Sequence, residues 1–348
     1  EQRGAPLVAR WRRMAGAPAE PPSFSQFLQE HELFELLPTH GKVVTLDADL
    51  PMKHALDALA SHSASCLPVW DSYQQRFVDV FTCTDLVDIV LFTHRTLAAS
   101  AAATSGAGAV GQRGEAQQAI ERCQLRDLHG LKRSKPSGFV MASVDDSMYH
   151  GCLMLKQHQL ECLPLGDAAC SSSLLHLLLP EQVLAFVTAS PDFRNGAPQL
   201  FGASLAQAVL PHCAALRTIS RGASLADALM LLSEGRLHAL PVLDDSGALV
   251  DVLSCRDVRH LASMSKTGDL SASVEESLRV LAPVEQRLQT CSPTDSLLMT
   301  VPRFATSELA QLVCVDERGA VCSVVTSMAI LTGLLTPAEA APSSVDIE

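Results

Sequence analysis

Cys66-Leu67-Pro68-Val69-Trp70-Asp71 decides how this chain is read, because the phrase returns. It recurs as Cys162-Leu163-Pro164-Leu165-Gly166-Asp167 and as Ala239-Leu240-Pro241-Val242-Leu243-Asp244, with a weaker copy at Gln311-Leu312-Val313-Cys314-Val315-Asp316. A short apolar run closed by Asp predicts a buried strand entering a turn. Four spaced copies predict one supersecondary unit repeated along the chain.

Upstream of each phrase lies a helix with a marked start. Asp49-Leu50-Pro51-Met52 leads into Ala55-Leu56-Asp57-Ala58-Leu59, and Ser224-Leu225-Ala226-Asp227 leads into Ala228-Leu229-Met230-Leu231-Leu232. Asp146-Ser147-Met148 and Asp295-Ser296-Leu297 hold the same place in the other two copies. Asp and Ser accept hydrogen bonds from the free N–H groups of a first turn, and Pro51 has no N–H to lose there. Downstream comes a second strand: Phe77–Thr82, Val183–Thr188, Leu249–Ser254 and Val321–Thr326, each followed by a segment able to begin a helix. The unit is therefore strand, helix, strand, turn, strand, helix. Its sheet keeps one face bare, so units are expected to pair, and four units make two pairs.

Outside the repeats, residues 1–22 read as a flexible arm and Phe24 to Leu37 as a helical lead-in. The Ala/Gly/Ser-rich stretch 98–119 reads as a loop, Ser171-Ser172-Ser173 as a shorter soft spot, and the segment from Pro337 as a mobile tail. Leu174–Leu179 is expected to be a short packing helix. Arg122, Arg126, Lys132, Arg133 and Lys135 are expected on a solvated helix face, and Trp70 in the core or at its rim.

Of 348 residues, 47% are hydrophobic and 18% charged, a globular composition. The net charge of −12 disfavours nonspecific binding to nucleic acid or anionic membranes. Eleven cysteines show no Cys-x-x-Cys spacing and sit among apolar neighbours, so they read as small buried hydrophobes rather than zinc ligands. Their odd number and the absence of a leader-like N-terminus predict a reducing compartment, the cytosol with the nucleus open. No run of about 18 apolar residues predicts a membrane span. Neither a phosphate-cradling Gly loop nor a Gly-x-Ser-x-Gly elbow is present, and the repeats leave no room for a catalytic domain, so an enzyme is not expected.

The repeat resembles the cystathionine-β-synthase (CBS) domain, a small β-α-β-β-α module that works in tandem pairs. Four in one chain resemble the gamma regulatory subunits of AMP-activated and sucrose-non-fermenting-type protein kinases. The resemblance is carried by Glu35-Leu36-Leu37-Pro38, Lys42-Val43-Val44, Pro68-Val69-Trp70-Asp71-Ser72, Phe77-Val78 and Thr84-Asp85-Leu86. In the third copy it is carried by Arg236–Val242, Val250-Asp251-Val252, Ser254 and Asp257. It spans roughly residues 24–335, strong in units one and three and faint in units two and four. It implies an α/β fold of four modules packed as two tandem pairs in a disc-like arrangement. The expected divisions are 23–97, 120–195, 196–265 and 266–336 for the four modules, with the arm, the loop and the tail 337–348 outside them.

The resemblance also implies a chemistry. AMP, ADP or ATP would sit in clefts between paired modules as regulatory ligands, with no cofactor. The ribose would rest on Asp85 assisted by Thr82 and on Asp257 assisted by Ser254, since an ionised carboxylate accepts two vicinal hydroxyls through strong charge-assisted bonds. Both acids also suit a capping role. Phosphate would fall to Arg236 and His238. Units two and four depart from the pattern: counted from Thr188 and Thr326, Pro191 and Ala329 replace the carboxylate. Ser65, Glu161-Cys162 and Ala310-Gln311 stand where basic residues belong. The expected function is a non-catalytic kinase regulatory subunit joined to alpha-type catalytic and beta-type scaffold subunits. The alternative is a CBS-only scaffold whose nucleotide sites have decayed and which has no kinase partner.

Overall fold

The computed structural model describes residues 23–39, 42–62, 64–103, 118, 122–126, 139–167, 170–190, 201–264, 267, 270–306 and 311–336. The arm 1–22, most of the stretch 98–119, Lys132, Arg133, Lys135, Pro191 and the tail lie outside them.

A lead-in helix α1 (Phe24–Glu30) is capped by Ser23, whose hydroxyl accepts from Gln26 N–H. Unit one follows with β1 (Leu46–Asp47), α2 (Met52–Ser61), β2 (Cys66–Asp71), β3 (Arg76–Thr82) and α3 (Cys83–Ala103). Unit two has β4 (Ala142–Ser143), α4 (Met148–Gln157), β5 (Leu163–Asp167), β6 (Cys170–Leu178) and α5 (Pro180–Ala189). A short α6 (Leu205–Ala208) leads into unit three, with β7 (Ile219–Ser220), α7 (Leu225–Gly235), β8 (Ala239–Leu243), β9 (Leu249–Ser254) and α8 (Cys255–Ser263). Two linker helices, α9 (Val274–Leu278) and α10 (Val284–Arg287), precede unit four: β10 (Thr290–Cys291), α11 (Leu297–Thr306), β11 (Gln311–Val315), β12 (Val321–Thr326) and α12 (Ser327–Leu335).

Each unit makes a three-stranded sheet of the same topology, its short first strand parallel to the second and the second antiparallel to the third. The Asp that closes a phrase builds the turn. Asp244 Oδ1 accepts from Ser246 and Ala248 N–H, and Asp316 Oδ1 from Arg318 and Ala320 N–H. Gly247 and Gly319 take the left-handed backbone these turns require, with φ of 84° and 79°. Asp71 receives Tyr73 and Gln74 N–H in the same manner.

Four sequence expectations are corrected. Val183–Thr188 is not a strand: it lies in α5, while the third strand of unit two is β6, formed by the serine-rich segment and Leu174–Leu178. The apolar run read as a helix is thus a strand, and Pro180 at the start of the next element marks where the helix begins. Helix α3 runs on to Ala103, into the stretch read as a loop, consistent with the high helix propensity of its alanines. Arg126 stays partly solvated but is not a free surface charge: it bonds Asp49 at 2.7 Å and Asp71 at 2.9 Å and lies over the Tyr73 ring.

Units meet in two ways. The helices of units one and three share one core (Leu86, Val87, Val90 with Leu229, Val258, Leu261), and those of units two and four share another (Val183, Leu184, Val187 with Val301, Phe304, Ile330). Sheets meet within the tandem pairs: Cys66 and Val80 pack on Cys162, and Ala239 and Val252 pack on Val313. The four contacts close a ring, one to two, two to four, four to three, three to one. Each fully buried Leu or Val contributes about 1.5–3 kcal/mol. The lead-in helix precedes unit one in sequence yet packs on unit two: Phe24, Phe27 and Leu28 lie in the same core as Met148 and Leu155.

Gly333 on α12 is a close-approach position, because a Cβ there would collide with the Ala208 carbonyl oxygen of α6. Gly333→Val should lower stability by about 1–3 kcal/mol, the cost typical of overpacking. Urea unfolding should show a lower midpoint at unchanged m-value.

Candidate functional site

In units one, three and four the last strand ends on the residue that caps the following helix, and in unit two it ends one residue before the cap, so strand and helix meet at one short junction. In unit one, Asp85 Oδ2 accepts from Thr82 N–H at 2.9 Å and from Thr82 Oγ1 at 3.0 Å, while Asp85 N–H donates to Thr82 Oγ1 at 3.2 Å. Unit three repeats this closely. Asp257 Oδ2 accepts from Ser254 N–H at 2.7 Å and Oγ at 2.6 Å, and Asp257 N–H donates back at 3.2 Å. The capping role is therefore real at both acids.

The other two junctions lack the acid. Unit two does not break the pattern at Pro191, because its junction lies earlier: Leu179 stands at the cap and Gln182 at the acid position, its Oε1 accepting from Leu179 N–H at 3.0 Å. A neutral amide thus serves the backbone there without a charge. In unit four, Thr326 caps by accepting from Ala329 N–H at 3.1 Å, and Ala329 has no side-chain acceptor.

The junctions of all four units contribute to one cavity of about 800 Å³, a size suited to a ligand of nucleotide dimensions. Thr82, Asp85, Arg236, His238 and Ser254 all line it; Asp257 does not. Arg236 is presented from the C-terminal cap of α7 in the left-handed conformation, φ 50° and ψ 44°. Its Nη1 donates to Gln159 Oε1 at 3.1 Å, and Gln159 holds the same left-handed backbone (φ 51°) at the end of the corresponding helix in unit two. Two equivalent caps thus meet across the cavity, one cationic and one neutral.

Sequence reasoning missed Lys156 and Arg256, which add positive charge to this wall, and His158 beside them. Their signal was positional: Lys156 and His158 end the helix before Gln159, and Arg256 follows the Ser254 cap. The acids Glu161 and Glu181 are on the wall too, with Ser327 Oγ donating to Glu181 at 3.1 Å. The cavity is therefore of mixed sign.

Burial sets the chemistry of its margins. The thiols of Cys66 and Cys162 face each other, and that contact together with burial pushes the Cys66 thiol well up. Burial likewise raises Cys83 to about 12, so these cysteines are packing groups rather than nucleophiles. Among the described residues no group of three or more His, Cys, Asp or Glu could hold a metal ion. No helix among them is long and apolar enough to cross a membrane.

Burial also raises the Asp257 carboxyl above its ordinary 3.8, opposed by its Ser254 bonds and by Arg287. The folded chain holds this proton to higher pH than the unfolded chain, so the group's contribution to stability is greatest below its ordinary value and is lost as pH rises through the folded one. Asp257→Asn cannot ionise. Its unfolding free energy relative to the parent should therefore rise as pH is raised above the ordinary carboxyl value of about 4, as read by urea titrations over a pH series.

The model of the CBS domain family matches residues 35–91 and 214–263, in units one and three. The chain is 26% identical over 325 residues to the 5'-AMP-activated protein kinase subunit gamma of Dictyostelium discoideum, covering 90% of this chain and 52% of that protein. It is 29% identical over 316 residues to subunit gamma-3 of Homo sapiens, covering 90% and 61%. It thus spans between half and two thirds of the length of these relatives. In fold it is similar to a Methanocaldococcus jannaschii protein described as a proposed archaeal homologue of g-AMPK, with a TM-score of 0.64 at 15% identity over 86% of this chain and 99% of the other. Four repeated modules, their capped junctions and these likenesses agree: units one and three match the CBS domain, and the chain is similar over 90% of its length to gamma subunits of the 5'-AMP-activated protein kinase.

Proposed function

We propose that the chain is a non-catalytic, gamma-type regulatory subunit of an AMP-activated-type protein kinase, binding adenine nucleotide in its central cavity. One observation carries the reading: all four repeats converge on a single cavity that holds the Asp85–Thr82 pair on one side and Arg236 and His238 on another. An ionised carboxylate accepts from a ribose diol, and a guanidinium matches phosphate oxygens. The likeness to kinase gamma subunits supports the kind of partner, an alpha-type catalytic and a beta-type scaffold subunit. Coupling would follow from linkage, the nucleotide favouring whichever assembly state binds it more tightly. The free thiols of the ten described cysteines support a cytoplasmic or nuclear setting.

Glu161 in place of a basic residue argues for modest affinity, since its charge repels phosphate. Calorimetry with AMP and ATP, combined with co-expression with alpha- and beta-type kinase subunits, tests the proposal. Binding should weaken by about tenfold or more on Arg236→Ala, in line with about 1.5–3 kcal/mol for a charged hydrogen bond. A stable kinase complex without nucleotide binding would reduce the chain to a structural subunit. Failure of both would support a scaffold with decayed sites.

A further inference from the structure

The second residue of the last helix lines the cavity in all four units: Thr84, Glu181, Arg256 and Met328. Each stands two positions after its cap, which is Thr82, Leu179, Ser254 or Thr326. The repeat therefore brings the same position of every unit to one wall, and divergence has made two of the four charged. Glu181 has a partner there, since its Oε1 accepts from Ser327 Oγ at 3.1 Å. Arg256 has none. It is half-buried on the wall. Among the described residues it makes no hydrogen bond or ion pair, with Glu161 and Glu181 or with any other group.

Unit three fixes this cation and gathers others beside it. Ser254 N–H donates to Asp257 Oδ2 and Asp257 N–H donates to Ser254 Oγ, which locks the turn that carries Arg256. Cys255 N–H donates to the His238 carbonyl at 2.9 Å, and its Sγ donates to the Leu237 carbonyl at 3.4 Å. These two bonds lay Arg236-Leu237-His238 against the start of α8. Arg236, His238 and Arg256 thereby come to one corner of the cavity. Arg236 has a neutral partner, Gln159 Oε1. Two guanidinium groups thus share a corner without a carboxylate bonded to either.

Like charges gathered partly out of water repel one another and lose hydration, and a bound anion relieves both costs. A guanidinium matches the oxygens of a phosphate in particular. We propose that Arg256 is the principal phosphate anchor of the cavity, with Arg236 as its second arm. It supplies from a helix start the positive charge that Ser65, Glu161-Cys162 and Ala310-Gln311 do not supply before the repeated phrase. A nucleotide's phosphate and free orthophosphate share this chemistry. The carrier of the phosphate rests on the nucleotide reading above; the anion site does not.

The test uses the full chain with AMP, adenosine and orthophosphate in a calorimeter, and phenylglyoxal labelling of arginines read by peptide mass spectrometry. Arg256→Gln should weaken AMP binding by about tenfold or more, the loss expected for a charge-assisted contact, and adenosine binding by less than about twofold. Arg256→Lys should recover part of the AMP affinity. Saturating AMP should protect Arg256 of the parent chain from labelling several-fold, a readout that needs no variant to fold. Unchanged AMP affinity in Arg256→Gln, or equal labelling of Arg256 with and without AMP, overturns the anchor and leaves the nucleotide reading standing. Equal weakening of AMP and adenosine also overturns it, because Arg256 would then act on the fold. Orthophosphate binding that Arg256→Gln abolishes, with neither AMP nor adenosine bound by the parent, upholds the anchor and retires the nucleotide reading. No binding of any of the three overturns both.

Discussion

A three-stranded sheet with its helices on one side leaves the other face to water unless a second sheet covers it, and the apolar residues of β2, β5, β8 and β11 make that exposure costly. Covering the face forces units into pairs. The linkers then couple each pair further, because the segment before one unit completes the helix start of another. Met148 N–H donates to His31 O while Leu33 N–H donates to Asp146 O; Met52 with Cys123 and Leu125 with Leu50 repeat the exchange. Leu297 with Ala203, Leu205 with Asp295, Val274 with Ala223 and Leu225 with Ala272 do so in the second half. These reciprocal bonds satisfy first-turn N–H groups that an isolated unit would leave unpaired.

The cavity is a consequence of that packing. Once sheets meet within pairs and helices meet between them, the strand-to-helix junctions of four units face inward together. Divergence among the copies then has a chemical outcome. Two junctions keep a carboxylate, one carries the amide of Gln182, and one carries Ala329. The cavity is correspondingly uneven, with Arg236 and Lys156 set against Glu161 and Glu181.

Much of this was legible in the text of the chain. The Leu-Pro-Val phrase placed β2, β5 and β8; its closing Asp predicted the turns; Ser147 and Ser224 predicted helix starts and cap them, accepting from His150 and Asp227 N–H. Asp85 and Asp257 were both legible as caps. Unit two was misread because Leu174–Leu179 and Val183–Thr188 are both apolar and of similar length, and periodicity cannot separate a buried strand from a buried helix in so short a run. The better signal was Pro180, which fits a helix start and not the interior of a strand.

The sequence by itself determined the repeat, the α/β alternation and which residues cap the helices, because each depends on hydrogen bonds and apolar periods within a few positions. It could not determine which matching acid faces the cavity. Asp85 lines it and Asp257 does not, while Arg287, 30 residues beyond Asp257 in the chain, reaches Asp251. Only the tertiary structure decides such a contact, because nothing local ties the two positions together.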